Sequence, residues 1–279
     1  MEAILHLKRS DQSEYYFLNK YELAYSKAKP LEEGKSYMVL SNDAAGKPQF
    51  KKFDSPMQAM ENFRGRAGDA ELGIGKSVKD YLSVATMKDG KVDYVAKDFQ
   101  QTYYSDAIKN AIYINQGKGF NMTQSANMLM GGSAYRDDLV SRVGKEYGAW
   151  NTYEFDKPRD KYGNLSIRQY GEGYPFNLEK ELSSYKIKEL DDPKKLEQII
   201  GQMKDGERPV VTVSNEQGQE SKMLARAMPR YGNINFYSLS GQLEKREQFL
   251  KEPKQKQAQQ QVLERKQGKS KSKGQEVSI

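Results

Sequence analysis

Cysteine is absent from the 279 residues, and histidine and tryptophan occur once each. Without thiols there are no disulfides, no thiolate nucleophile and no cysteine-held zinc or iron–sulfur cluster. The lone histidine, His6, sits in an alternating stretch over residues 3–8 that reads as a first strand, where it serves as a surface or packing residue. That leaves no histidine for a Ser-His-Asp triad, and a multi-histidine metal site cannot be built from one. No apolar run approaches the ~20 residues of a membrane helix, and the first residues lack the apolar core of a signal peptide. The expected compartment is the cytoplasm, with no membrane contact and no cofactor.

What is abundant is tyrosine, with 19 against 10 phenylalanines. Tyrosine suits half-exposed strands, where the ring packs and the hydroxyl stays wet. Charge is uneven. Residues 251–279 hold eight of the 45 cations and three of the 38 acids, so they carry +5 of the net +7. This Lys/Gln-rich stretch has no aromatic residue and too little apolar area to offset the entropy of ordering it. It reads as a solvated or fraying helical basic arm, of the kind that holds proteins near polyanions. Its DNA-contacting residues are expected to be Lys254, Lys256, Arg265, Lys266, Lys269, Lys271 and Lys273.

The remaining chain reads as two small domains, residues 1–104 and 105–250. In the first, residues 15–25 continue as a second strand, 36–41 pair with 48–53 across a turn-forming segment, and Ser55-Pro56 opens a helix with Met57, Met60 and Phe63 on one face. Asp89-Gly90 signals a further hairpin. In the second, residues 111–114 read as a strand and 123–130 as a helix. Strands over 150–155 and 165–170 flank a turn. Asn177 and Asp192-Pro193 open helices, 209–213 pairs with 222–225, and 234–237 is another strand. Residues 241–250 read as a helix extending toward 266. Hairpins interrupted by short helices, without regular alternation, predict an α+β fold with antiparallel sheets.

Chemical motifs are weak. Gly75-Lys76-Ser77 ends like a phosphate loop, but Ala70 stands where that loop needs glycine, and the segment reads as a loop entering a helix over 76–82. Tyr15-Tyr16 and Tyr103-Tyr104 resemble paired tyrosine nucleophiles but lack the histidines to hold their metal. Asp205, Glu220 and Lys222 loosely fit a Mg²⁺-dependent nuclease, two carboxylates with a lysine. Residues 230–236 suggest an RNA-binding strand, although core packing by Ile234 and Phe236 accounts for them better. Trp150, between Tyr147 and Tyr153, is expected to be a core or interface anchor, and these three are the candidate partner-binding residues.

Residues 111–119, Tyr147-Gly148-Ala149-Trp150, residues 160–164 with Gln169-Tyr170 and Tyr174, and Pro229-Arg230-Tyr231 with residues 234–237 together resemble a module. It is found in poorly characterised proteins of Bacteroidetes conjugative transposons. The resemblance covers about residues 108–279 and carries no catalytic motif. It implies a bacterial cytoplasm and a mobile element. The expected function is a non-enzymatic accessory protein whose basic arm meets DNA or a DNA-bound complex. The alternatives are a protein-interaction adaptor without nucleic-acid contact and the Mg²⁺-dependent nuclease.

Overall fold

A computed structural model describes residues 1–115 and 118–251. The chain forms an α+β fold with four antiparallel sheets. Two compact units divide it, Met1–Phe120 with Lys161–Asn164, and Asn121–Asp160 with the chain from Leu165.

The first unit opens with β1 (Glu2–Arg9), β2 (Tyr16–Tyr25), β3 (Ser36–Asn42), β4 (Pro48–Phe53) and α1 (Pro56–Arg64). It continues through β5 (Ala70–Ser77), β6 (Asp80–Lys88), β7 (Lys91–Val95), α2 (Gln100–Tyr104) and β8 (Ile108–Tyr113). The larger sheet has the order β4-β3-β5-β6-β7. Helix α1 lies on it as its caps dictate. The Ser55 hydroxyl accepts from the amides of Met57 and Gln58, Pro56 occupies the first turn, and Gly65 ends the helix. Met60 and Phe63 then bury against Tyr37, Val39 and Leu72. The expected β3–β4 and β6–β7 hairpins are present, the latter closed by Asp89 and Gly90, both with positive φ, as a two-residue turn requires.

The helix expected over residues 76–82 is absent. β5 and β6 form a hairpin there, closed where Ser77 faces Asp80. A Cβ on Gly75 would lie 2.2 Å from the Asp80 carbonyl oxygen, so this glycine lets the partner strand close and does not cradle a phosphate. The second sheet has the order β1-β2-β8. β8, which sequence reading placed in the second region, pairs with β2, and the Tyr21 hydroxyl donates to the Phe120 carbonyl at 2.5 Å.

The second unit runs through α3 (Met122–Leu129), β9 (Ser133–Val140), β10 (Glu146–Glu154), β11 (Ser166–Gly171), α4 (Leu178–Ser183) and α5 (Pro193–Lys204). It then forms β12 (Val210–Ser214), β13 (Glu220–Met228), β14 (Asn233–Tyr237) and β15 (Leu243–Glu244). Its sheets have the orders β11-β10-β9 and β12-β13-β14-β15. Asn177 and Asp192 cap α4 and α5 as expected. Ile199 and Met203 of α5 join Val211, Val213, Ile234 and Phe236 in one core. The helix expected over 241–250 is replaced by a hairpin turn, in which Gly241 has φ +88°, then β15 and a 3₁₀ turn, Arg246–Phe249. That turn sinks Phe249 into the core, 5.3 Å from the Phe236 ring. Burial of one aromatic side chain outweighs the small helix propensities of its neighbours. The expected continuation toward 266 lies outside the described residues.

Among the described residues no helix is long and apolar enough to cross a membrane.

Candidate functional site

The register of β9, β10 and β11 builds a row of aromatic side chains. Trp150 on β10 stands directly opposite Tyr135 on β9 and Tyr170 on β11. Directly opposed residues share a face, so the three rings form one rung across the sheet. Trp150 meets Tyr135 edge-on with centroids 5.5 Å apart, and Phe176 in the same manner at 5.6 Å. Tyr174 packs on Tyr170 at 4.8 Å and donates its hydroxyl to the Arg230 carbonyl at 2.6 Å.

This rung floors an open cleft of about 1020 Å³ in the second unit. Residues leading into α4 form one wall, and Ile200 and Lys204 of α5 form another. The Lys204 ammonium lies 5.1 Å from the Tyr135 ring centroid. Gly148 falls at a register shift in β10, and a Cβ there would lie 2.2 Å from the Tyr135 hydroxyl. Its missing side chain makes room for that phenol. Glu172, Glu179, Lys180 and Lys204 give the lining charges of both signs.

One polar atom on a residue lining the cleft is unmatched. Tyr170 is 5% exposed, and its hydroxyl has no hydrogen-bond partner among the described residues. Burial raises its pKa, against the opposing pull of Arg168 and Arg230. It is a neutral donor at neutral pH. A ligand matching this cleft carries an acceptor for the Tyr170 hydroxyl and an apolar body for the rings of Trp150, Tyr174 and Phe176.

Of the three expected partner-binding residues, Trp150 is in this cleft and the other two are not. Tyr153 is three positions along β10, on the opposite face, and buried. Tyr147 donates to Gln169 at 2.8 Å, and Gln169 in turn donates to the fully buried Asn151 on that other face. Tyr135 was missed because β9 was. Its core is Tyr135-Arg136-Asp137-Asp138, whose charges hide the alternation. The two turn signals around it, Gly131-Gly132 before and Ser141 to Gly144 after, were the available clue.

Of the nuclease set, Glu220 and Lys222 line one shallow depression and Asp205 lies apart from them. Asp205 follows the last turn of α5 and accepts from the Gln124 amide at 2.9 Å. Glu220 pairs with Lys188 at 3.0 Å and shares a shallow depression with Lys195 from the first turn of α5. The length of a twelve-residue helix, about 18 Å, separates the two ends. Among the described residues no three His, Cys, Asp or Glu side chains are grouped to hold a metal ion. Tyr15, Tyr16 and Tyr104 are exposed and Tyr103 is buried. Ile234 and Phe236 are fully buried, which accounts for the strand that suggested an RNA-binding motif. The seven expected DNA contacts, Lys254, Lys256, Arg265, Lys266, Lys269, Lys271 and Lys273, lie outside the described residues.

No known family, curated protein or solved structure matches this chain.

Proposed function

We propose that this is a non-enzymatic binding protein whose second unit receives an extended segment of a protein partner in the aromatic cleft. The observation that carries this reading is the Tyr170 hydroxyl, buried and unpartnered among the described residues, on a residue that lines an open cleft beside Trp150. An unmatched buried donor costs about 1–3 kcal/mol, and a peptide carbonyl entering the cleft would relieve that cost. Aromatic-lined grooves with a hydroxyl donor suit extended, proline-bearing or aliphatic segments, which bring little entropy to lose.

Trp150 is the single tryptophan, so intrinsic fluorescence reports on the cleft without labelling. Titration with proline-rich and aliphatic extended peptides is expected to shift its emission saturably. Tyr170→Phe keeps the ring and removes the donor, and should weaken that binding about fivefold. Emission and acrylamide access that stay unchanged across the panel would reduce the rung to core packing and remove this reading.

The charge split favours a second activity. Residues 251–279 carry most of the net charge, and lysine ammonium groups match phosphates without reading sequence. On this reading the protein is a cytoplasmic accessory of a bacterial mobile element, held to DNA or a DNA-bound complex by its basic segment. The resemblance to conjugative-transposon proteins supports it. Anisotropy with labelled duplex and single-stranded DNA should show binding by residues 1–279 with a steep salt slope, and none by residues 1–250. If both chains bind alike, the contact lies in the folded units; if neither binds, the DNA reading is wrong.

A further inference from the structure

β1 is the outer strand of its sheet, paired with β2 along one edge and with no described strand along the other. Edge strands of this kind are usually blunted by proline, a bulge or inward charge. β1 has no proline, the extra residue at its one register shift is Asn19, on β2, and its charges are the half-buried Glu2 and His6 and the exposed Lys8 and Arg9. Its side chains Ile4, Leu5 and Leu7 are 59%, 53% and 61% exposed. Leu5 and Leu7 share one face of this edge and Ile4 lies on the other, so both faces carry bare aliphatic surface along the edge.

We propose that β1 pairs antiparallel with β1 of a second copy of this chain, in the register that sets Leu5 opposite Leu5. Symmetry limits the choices. A two-fold axis normal to a sheet must pass through a residue facing itself, because opposed residues share a face. Centring on Ile4 sets Glu2 against His6. Centring on His6 sets Glu2 against Ser10 and stacks Ile4 on Lys8. Only the register centred on Leu5 places Glu2 opposite Lys8, and symmetry makes that pair twice. The same register sets Ala3 against Leu7, so one face runs apolar from Ala3 through Leu5 to Leu7 in both copies. Opposite charges directly across an antiparallel pair are favourable and like charges are not. The Glu2–Lys8 pairs and the apolar row of Ala3, Leu5 and Leu7 thus select this register, in which Ile4 faces His6.

The test is sedimentation of the full chain over a concentration series, with Glu2→Lys and Lys8→Glu, alone and mixed. The wild-type chain should dimerise reversibly. Each variant alone sets like charges opposite at both ends of the pair and should self-associate about tenfold more weakly, equivalent to ~1.4 kcal/mol. Mixed in equal amounts, the two variants set opposite charges at both ends and should associate as well as wild type. Leu5→Lys, at an exposed position and with its fold checked by circular dichroism, should abolish the dimer. A wild-type chain that stays monomeric overturns the proposal. So does a dimer indifferent to all three substitutions, or a mixture no stronger than its separate components.

Discussion

Tyr170 and Asn151 sit on adjoining strands of one sheet, are both buried, and differ in whether their polar atoms are matched. Asn151 donates to the Ala149 carbonyl at 2.9 Å and accepts from Gln169 at 3.0 Å, so its burial is satisfied. The Tyr170 hydroxyl has no such partner among the described residues, and Tyr170 lines a cleft. Removing an unmatched buried donor relieves its desolvation cost. Tyr170→Phe should therefore raise stability by about 1 kcal/mol in urea unfolding while weakening peptide binding in the cleft. A loss of stability instead would show that the hydroxyl has a structural partner. At this scale the scarcity of tryptophan made Trp150 conspicuous in the sequence. Local turn signals marked only the ends of β9, and the neighbour that gives Tyr135 its meaning is fifteen positions away on β10.

Among the elements, the β5–β6 hairpin shows how a short motif misleads. Gly75-Lys76-Ser77 resembles the end of a phosphate loop, yet its glycine serves strand closure. A Cβ at Gly75 would strike the Asp80 carbonyl oxygen and lie 2.4 Å from the Tyr81 Cα. Both are backbone atoms that cannot rotate away. Gly75→Ala should cost about 2–3 kcal/mol, the range of overpacking, whereas Lys76→Ala on the same strand should be near neutral. Urea unfolding of the two variants checks this, and equal effects would contradict it. Helix ends behaved differently. Ser55-Pro56, Asn177 and Asp192-Pro193 were readable because a cap joins a side chain to amides two or three residues on. Residues 241–250 were misread because their fate depends on Phe236, outside the segment.

For the whole molecule, each unit buries a tyrosine deeply enough to couple stability to alkaline pH. Burial raises the Tyr37 phenol in the first unit. In the second, burial and then the Glu181 carboxylate push Tyr185 well above the usual phenol range. In the unfolded chain both phenols ionise near their ordinary value of about 10. Above that pH the folded state binds more protons than the unfolded one, so stability falls as pH rises; below it the full contribution is present. The urea midpoint should be flat from about pH 8 to 9.5 and drop beyond about 10. Tyr185→Phe should flatten the drop, and phenolate absorbance should rise in step with unfolding. A midpoint unchanged to about pH 11 would contradict this coupling.

The sequence by itself determined the α+β class, most hairpins, the helix starts and the absence of thiol and multi-histidine chemistry. Each of these follows from composition or from interactions between residues a few positions apart, such as alternation, turn residues and caps. Only the tertiary structure decided the aromatic rung, the pairing of β8 with β2, the outer place of β1 among the described strands of its sheet and the separation of Asp205 from Glu220. Those depend on which strands become neighbours and in what register. Register is settled by burying apolar faces over long sequence separations, and no local pattern carries that information.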